Sequence, residues 1–472
     1  MDILWESSKV AEAVKGVVSH NFPIYGISID TRNLKKGDMF VAIKGINNNG
    51  HDYIDDAFKK GASCVLASEE RSNKKNCILV EDTFKSLWDL AVESRKRSKA
   101  KIVGVTGSVG KTGTKEALKF VLNSGKSIYA SDKSYNNHYG VPLSLINMPQ
   151  STEVGIFEMG MNHKGEILKL VNLVEPNISL ITNVEKVHSA FFDSFEKIVE
   201  AKGEIFYKTA VNNTAILNHD NQSYKQLREI AHNNGISSFV TFGIHNNSNV
   251  RLIRHKLKER GSFVRAKINN KIVEYEIKIP GYHWVINSLA VHATCLALKE
   301  NHQNISARIS KFQPLDGRGK FYDIAVRNGY IRLIDESYNA SPPSMEAAIE
   351  TFSLQEKEKN SRRVAFLGDM LELGDNSKEM HIKIKKSICK SKFDLIFTIG
   401  KNMKYLYDSL PEDIRGQHFN RIDSFPLLLL NFLKPGDKVL VKGSNAMKMK
   451  TIVNEIKKLE NLKKSKLPIG GS

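Results

Sequence analysis

The chain has 472 residues, of which 41% are apolar and 26% are charged, and its formal net charge is +19. This composition excludes a disordered protein, and the length exceeds what one hydrophobic core holds, so roughly two to four domains are expected. No apolar run approaches the roughly 18 residues that cross a membrane, so no stable membrane insertion is predicted.

The N-terminus and the cysteines predict a cytoplasmic protein. The first residues, MDILWESSKVAEAV, lack the basic and then apolar pattern of an export signal. The four cysteines form no CxxC pair, which favours a reducing compartment and no cysteine zinc site. The excess charge is lysine dispersed along the chain, so no nucleic-acid partner is expected. A nucleotide-regulated nucleic-acid-binding protein is the alternative from another functional class.

The first predicted domain covers residues 1–97 and is a small α/β unit. Short β-prone runs alternate there with helical patterns. Its strand candidates are YGISI, MFVAI, CVLAS and CILV. The charged segment ESRKRSKAK (93–101) is predicted to be the linker to the next domain.

The second predicted domain, residues 98–313, opens on a phosphate-binding loop. A β-branched run is followed by the glycine loop and then by a helical pattern, the context that supports such a site. Lys111 can reach the β- and γ-phosphates, and the Thr112 hydroxyl can hold Mg²⁺. Val105 stands where a glycine is usual, and an ordinary glycine turn is the alternative. The predicted nucleotide-binding residues of the loop are Thr106, Gly107, Ser108, Val109, Gly110, Lys111 and Thr112.

Two residues further along this domain are candidate Mg²⁺ ligands. Glu158 lies in the predicted strand Gly155–Met159, and a carboxylate at a strand end near a phosphate loop commonly reaches Mg²⁺. His188 follows the predicted strand Ser179–Asn183. Taken singly, such residues are more often a surface acid and a structural imidazole. Helical patterns between the strands predict a mostly parallel sheet, whereas residues 246–280 alternate in polarity and predict antiparallel strands.

Lys202 has an unusual place in the helical pattern SFEKIVEAKGEIFYK (194–208). At about 100° per residue it falls in the middle of the apolar face, whereas Lys197 does not. A buried ammonium is costly unless it is paired or neutralised. Two interpretations remain open. The stem covers apolar surface while the ammonium reaches water, or a neutral amine takes up CO₂ as a carbamate, which is an anionic ligand for Mg²⁺.

The third predicted domain, residues 314–472, is a second doubly wound α/β unit that resembles a dinucleotide-type fold. Its strand candidates are IRLIDES, RVAFLGD, LIFTIG and KVLVKGS. Ligands gather at the carboxyl ends of such strands, so Glu336 and Lys442 are expected to face a cleft. The last residues, about 462–472, are expected to form a mobile tail.

Together these segments resemble the Mur ligase family from about residue 26 to about residue 455. Within the family, the FEMG and DESYNASPPSM segments are most similar to the branch that adds D-alanyl-D-alanine. A sister ligase that adds a single amino acid to a shorter precursor is the alternative. The motifs of the resemblance are SIDTR (28–32), FVAIKG (40–45), GHDYI (50–54), TGSVGKT (106–112), NNHYGVP (136–142), FEMGMNHKGEI (157–167), TNVEKVH (182–188), AKGEIF (201–206), GYHWVINSLA (281–290), GRG (317–319), DESYNASPPSM (335–345), LGDMLELG (367–374) and VKGS (441–444).

The resemblance implies three α/β domains: a UDP-sugar-binding N-terminal domain, a central P-loop ATPase and a C-terminal Rossmann-like domain. It also implies an ATP-dependent, ADP-forming amide ligase. ATP would phosphorylate the terminal carboxylate of UDP-MurNAc-tripeptide, and the amine of D-alanyl-D-alanine would attack the acyl phosphate to give the pentapeptide precursor of peptidoglycan. ATP and two Mg²⁺ ions are the implied cofactors, and a monomeric enzyme is expected.

The resemblance also implies roles for individual residues. The implied catalytic residues are Lys111, Glu158, His188 and Lys202. One Mg²⁺ would be held by Thr112 and Glu158, and the second by Glu158, His188 and a carbamylated Lys202. Nucleotide contacts are further implied for Asn287, Arg318 and Glu336. Substrate contacts are implied for Ser28, Asp30, Thr31, Arg32, Lys44, Gly45, Asn137, Asn339, Lys442, Gly443 and Ser444. The chain departs from the usual family pattern at Trp284, Glu336 and Asn445, where asparagine, aspartate and arginine are common.

Overall fold

The computed structural model describes residues 2–69, 76–132, 134–185, 191–207, 212–356, 361–425 and 432–460. Within these ranges the chain forms three α/β domains that follow one another along the sequence. His188 and the predicted mobile tail lie outside the described residues. None of the described helices is both long and apolar enough to span a bilayer.

The N-terminal domain is built on a four-stranded parallel sheet with the order β3-β4-β5-β6. Its elements are β1 (Trp5–Glu6), α1 (Ser7–Val14), β2 (Pro23–Ile24), β3 (Gly26–Ser28), β4 (Asp38–Val41), α2 (Ile54–Lys59), β5 (Cys64–Ala67), β6 (Cys77–Leu79) and α3 (Thr83–Arg97). The substrate residues predicted for this domain, from Ser28 to Gly45, lie at or after the carboxyl ends of β3 and β4. Since these strands are parallel neighbours, those residues share one edge of the sheet.

The prediction that residues 93–101 form a linker is wrong, because helix α3 continues through Arg97. The last turns of α3 are anchored on other parts of the chain. Ser94 donates from its hydroxyl to the carbonyl of Leu145 at 2.6 Å, and Arg95 donates to that of Val174 at 2.8 Å. A charged composition indicated solvent exposure, but these side chains satisfy carbonyl groups of the central domain instead.

The central domain has a nine-stranded sheet with the order β15-β14-β13-β12-β11-β10-β7-β9-β8. Its elements are β7 (Lys101–Thr106), α4 (Lys111–Leu122), β8 (Ile128–Ala130), α5 (Gly140–Ile146), β9 (Val154–Glu158), α6 (Glu166–Val174), β10 (Ile178–Ile181), α7 (Phe195–Gly203), β11 (Thr214–Asn218), α8 (Tyr224–Asn233), β12 (Ser238–Gly243), β13 (Val250–Lys258), β14 (Gly261–Ile268), β15 (Lys271–Ile277), α9 (Tyr282–Ala297) and α10 (His302–Ile309). The sheet is parallel from β8 to β13, and β13 to β15 form the predicted antiparallel extension.

The strand register brings the glycine loop and Glu158 to one edge of this sheet. Val105, near the end of β7, pairs with Glu158 at the end of β9. The loop then turns into α4 through Gly107 and Gly110, which have φ angles of 146° and 84°. A Cβ atom on Gly107 would collide with the hydroxyl of Thr182. Glycine is therefore required there both for the backbone angle and for the close approach.

The C-terminal domain has a six-stranded sheet with the order β16-β17-β21-β18-β19-β20, parallel except for β16. Its elements are β16 (Lys320–Val326), β17 (Gly329–Glu336), α11 (Pro342–Ser353), β18 (Arg363–Gly368), α12 (Ser377–Lys383), α13 (Lys385–Lys390), β19 (Leu395–Ile399), α14 (Met403–Ser409), β20 (Arg415–Phe419), β21 (Lys438–Lys442) and α15 (Lys450–Lys458). The four strands predicted from sequence are β17, β18, β19 and β21.

His292 in α9 predicts an acid-sensitive central domain. It is fully buried, and burial, together with the neighbouring His302, lowers its pKa from 6.5 to about 3. Between these values the unfolded chain binds a proton that the folded chain does not bind. The free energy of unfolding should therefore fall as the pH falls through this window, by up to about 1.4 kcal/mol per pH unit. We expect His292→Leu to flatten this dependence in urea unfolding between pH 6.5 and 4.5, whereas the same change at exposed His232 should not.

Candidate active site

A cavity of about 670 Å³ lies between the central and C-terminal domains. The glycine loop, the first turn of α4 and the start of α9 form its central-domain wall. The loop after β17 and the end of β21 face them from the C-terminal domain. The predicted site residues that line this cavity are Ser108, Val109, Gly110, Lys111, Thr112, Glu158, Asn287, Arg318, Glu336, Asn339, Lys442 and Ser444.

Two side chains, one within the glycine loop and one outside it, hydrogen-bond to carbonyl groups of the loop. The Lys111 amine donates to the carbonyl of Gly107 at 2.6 Å, and the Thr182 hydroxyl donates to that of Val109 at 2.6 Å. Burial lowers the pKa of Lys111, although Glu158 opposes this shift. Thr106 is fully buried, and its hydroxyl donates to the carbonyl of Met159 at 2.7 Å. The carbonyl groups of the loop thus hold the Lys111 amine in place.

Glu158 is almost fully buried, and both of its carboxylate oxygens accept hydrogen bonds. The Thr112 hydroxyl donates to Oε2 and the Asn136 amide donates to Oε1, both at 2.8 Å. Carboxylate and hydroxyl oxygens are ligands that Mg²⁺ prefers, so Glu158 and Thr112 form a donor set that fits this ion. The neighbouring Asn137, predicted to contact substrate, accepts on its Oδ1 the backbone N–H groups of Tyr139 at 3.1 Å and Gly140 at 2.9 Å.

The Lys202 amine is enclosed by the protein. Its residue has no exposed surface, and Nζ has no hydrogen-bond partner among the described residues. Burial, together with Lys111, holds the pKa of Lys202 well below its usual value, and Glu158 and Glu204 oppose this shift. The interpretation that the ammonium reaches water is therefore wrong. Burial and the missing hydrogen-bond partner both disfavour the ammonium form, so the interpretation as a carbamate-forming lysine stays open.

Glu204 does not neutralise Lys202 by a hydrogen bond. Its two carboxylate oxygens accept the backbone N–H groups of Gly165 at 2.6 Å and Leu168 at 3.0 Å. These are N–H groups at the start of α6, where an acidic side chain is favourable. Glu204 therefore stabilises the start of α6. The Lys202 amine has no hydrogen-bond acceptor among the described residues.

Arg318 reaches from the C-terminal side of the cavity to the phosphate loop. Its Nη2 donates to the Thr112 hydroxyl at 3.2 Å and to the Ser134 hydroxyl at 3.4 Å. The guanidinium lies over the ring of Tyr338, 4.3 Å from the ring centroid, which restricts its orientation. A planar cation beside the loop can contact phosphate oxygens.

Glu336 and Lys442 form an ion pair in which Lys442 is buried and Glu336 is half-buried. They are opposite each other in the parallel register of β17 and β21, with 3.6 Å between Nζ and Oε2. Burial raises the pKa of Glu336 and lowers that of Lys442, while their mutual attraction opposes both shifts. Lys442 also donates to the carbonyl of Asn339 at 2.9 Å. The residues predicted for the nucleotide and for the amine substrate are therefore adjacent.

Some predicted site residues do not line this cavity. The built Cβ of Gly443 would lie 3.0 Å from Gly368 Cα, so this glycine serves a close approach of two backbones. The set Ser28, Asp30, Thr31, Arg32, Lys44 and Gly45 lies on the N-terminal domain, outside the lining of the cavity. There Arg32 donates to the Asp30 carboxylate at 2.8 Å, and its side chain is largely exposed.

Sequence reasoning missed several residues of the cavity. Asn136, Ser134 and Tyr338 contact predicted residues, and His283 lines the cavity with a pKa that burial, together with Lys442, lowers to about 4. Asn136, His283 and Tyr338 lie within motifs of the family resemblance, but a motif does not indicate which of its side chains face the cavity.

Comparisons with known proteins agree with this arrangement. Models described as the Mur ligase family catalytic domain, the Mur ligase middle domain and the Mur ligase glutamate ligase domain match residues 23–94, 105–295 and 318–445. A Rickettsia prowazekii relative, named UDP-N-acetylmuramoyl-tripeptide–D-alanyl-D-alanine ligase, is 34% identical over 454 residues, covering 96% of this chain and 99% of the relative. The chain belongs to the Mur ligase family.

Further relatives confirm the predicted three-domain fold of this Mur ligase. A Bacillus subtilis protein of the same name is 31% identical over 458 residues, covering 95% of this chain and 97% of its own. A crystal structure of MurF from Acinetobacter baumannii has a TM-score of 0.83 at 24% identity, covering 96% and 99% of the two chains. A MurF ligase from Thermotoga maritima, in complex with ADP, has a TM-score of 0.75 at 24% identity, covering 93% and 98%.

Proposed function

We propose that this Mur ligase uses ATP to join D-alanyl-D-alanine to UDP-MurNAc-tripeptide, releasing ADP and phosphate. The observation that carries the proposal is that the phosphate loop and the buried carboxylate of Glu158 meet at one edge of the sheet. The buried Lys202 amine interacts electrostatically with both Lys111 and Glu158. Relatives named for this reaction match the chain over nearly its whole length.

The cations at the cavity suit an acyl-phosphate route. A carboxylate is a poor electrophile at neutral pH, and phosphorylation of the tripeptide carboxylate supplies a leaving group. Negative charge then builds on phosphoryl oxygens and later on the tetrahedral carbon's oxygen. Lys111, the loop N–H groups and Arg318 are positioned to meet that charge, because all of them line the same cavity.

The buried groups fit a metal site with a modified lysine. Mg²⁺, when bound, neutralises phosphate oxygens. Thr112 and Glu158 would hold one ion, and Glu158 with Lys202 would hold a second, joined by His188, which lies outside the described residues. In its unprotonated form the Lys202 amine would add its nitrogen lone pair to the carbon of CO₂ and lose one proton. The resulting carbamate replaces an unsatisfied amine by an anion with two oxygen ligands.

The two ends of the substrates are assigned to different domains. We place the UDP-sugar on the N-terminal sheet edge with Asp30, Arg32 and Lys44, and the tripeptide carboxylate in the cavity beside the phosphate loop. We place the incoming amine near Lys442 and Ser444. A cytoplasmic location and a monomeric state are part of the same proposal, and four cysteines that form no disulfide suit a reducing compartment.

The reaction predicts a specific dependence on the amine substrate. With ATP, Mg²⁺ and UDP-MurNAc-tripeptide, we expect one ADP per pentapeptide formed when D-alanyl-D-alanine is added, because the acyl phosphate needs an amine acceptor. Coupled ADP detection and mass spectrometry of the product measure this. ADP release with a single diamino acid and a shorter precursor, but not with D-alanyl-D-alanine, would instead identify a sister ligase.

A further inference from the structure

The turn between β13 and β14 reaches from the central domain to the C-terminal domain. Its two residues, Glu259 and Arg260, form what we call the hairpin tip. The Glu259 carboxylate accepts a hydrogen bond from Nη1 of Arg332 at 2.5 Å and lies 3.6 Å from Nζ of Lys438. Arg260 forms an ion pair with Asp323. Both charges of the hairpin tip are thus paired with side chains of the other domain.

The cations that receive Glu259 are buried. The side chain of Arg332 is 9% exposed and that of Lys438 is 2% exposed. The two residues are opposite each other in the register of β17 and β21, and like charges so close repel each other. Within the C-terminal domain, Nε of Arg332 donates to the Asp323 carboxylate at 2.9 Å. Separating the domains would leave the buried cations with one carboxylate fewer, which is costly.

The main chain of the hairpin tip is held as well. Gln355, which follows α11 and is fully buried, donates from its side-chain amide to the main-chain carbonyl of Glu259 at 2.6 Å. Burial raises the pKa of Asp323, but hydrogen bonds from Arg332 and Arg260 outweigh this effect and hold that pKa below its ordinary value. The hairpin tip is therefore fixed on the C-terminal domain by main-chain and side-chain contacts together, unlike an isolated surface ion pair.

The strands that bind the hairpin tip also carry residues of the cavity. Arg332 and Glu336 both lie on β17, and β21 carries Lys438 and Lys442 in the same way. A spacing of four residues places both side chains of a strand on one face of the sheet, about 13 Å apart. Because β17 and β21 are hydrogen-bonded neighbours, we expect them to move together. The hairpin contact therefore affects where the cavity residues stand relative to the phosphate loop.

We propose that Glu259 is a positioning residue for the ligation: through Arg332 and Lys438 it fixes β17 and β21, and so holds the C-terminal wall of the cavity against the phosphate loop. Glu259 itself is not among the residues that line the cavity. Its role is to keep Arg318 and Lys442 where they meet the reacting groups. This inference deepens the proposed function and rests on it, because the cavity has to be the site of the reaction.

Steady-state kinetics of Glu259→Gln are the first test, since this change keeps the size of the side chain and removes its charge. The kcat/KM for D-alanyl-D-alanine should fall about 5- to 150-fold, the range for coupling between separate sites. The KM for UDP-MurNAc-tripeptide, whose UDP-sugar we place on the N-terminal domain, should stay within about twofold. Glu274→Gln removes an ion pair with Arg265 inside the antiparallel extension and should change neither value. An unchanged kcat/KM in Glu259→Gln would overturn the inference.

Small-angle X-ray scattering of the full chain tests how the effect arises. Without ligands, Glu259→Gln should have a larger radius of gyration than the wild-type chain, because its domains separate more readily, whereas Glu274→Gln should match the wild type. A loss of activity with unchanged scattering would overturn domain positioning as its cause. Failure of the wild-type chain to form ADP would instead contradict the proposed function, and the scattering comparison, which needs no turnover, still tests the hairpin contact.

A double-mutant cycle with Arg332→Gln tests the partner. If Glu259 acts through Arg332, this change should lower kcat/KM less in the Glu259→Gln background than in the wild type, and additive losses would overturn that route. Glu259→Asp keeps the charge on a shorter stem and should be more active than Glu259→Gln. Equal activity of these two variants would overturn a role for the charge. Circular dichroism and thermal melting establish that each variant is folded.

Discussion

Lys111→Ala is expected to lower the rate of ADP formation by at least about 10³-fold, because the amine is the loop's own cation and its contact with phosphate oxygens strengthens as charge develops. In the structure this amine donates a hydrogen bond to the carbonyl oxygen of Gly107 in the loop, at a distance of 2.6 Å. Coupled ADP detection with all three substrates measures the effect.

A matched control for this change is Lys119→Ala, on the same helix but two turns away from the loop. It should retain near wild-type activity and the same fold by circular dichroism. Lys111→Ala should remain folded too, since the removed side chain lies at a ligand cavity rather than in a core. ADP formation at the wild-type rate in Lys111→Ala would exclude the phosphate-loop assignment.

Lys202→Ala is expected to lose activity by about 10²-fold or more, because the second metal site would lose its anionic ligand. The alanine leaves a space beside Glu158 that a small carboxylate can enter. Acetate or bicarbonate should therefore restore a measurable part of the activity in a concentration-dependent manner. Lys202→Met fills that space with an apolar chain of similar length, so the same anions should not restore its activity.

Two comparisons keep this prediction specific. Lys197→Ala changes an exposed lysine of the same helix and should leave activity near the wild-type level. Lys202→Met removes an unsatisfied buried amine and should not lower the melting temperature, so its inactivity would not reflect unfolding. Near-normal turnover in either Lys202 variant would show that the lysine is not a carbamate ligand.

The parts of the site that could be predicted depend on residues that are neighbours in the sequence. Lys111 and Thr112 lie in a strand, a loop and a helix that are contiguous in the chain, and helical periodicity alone placed Lys202 on an apolar face. The linker prediction failed because charge indicates exposure only on average. Arg95 and its neighbours bind carbonyl groups of segments far along the chain instead.

By itself, the sequence determined the family, the three α/β units, the phosphate loop and the unusual lysine, because each depends on neighbouring residues or on motif order. Only the tertiary structure decided that the Lys202 amine is sealed from water, that Asn136 donates to Glu158, and that Glu336 pairs with Lys442. These outcomes depend on distances between side chains from separate elements. Such distances follow from how helices pack on the sheet, which periodicity and motif spacing do not specify.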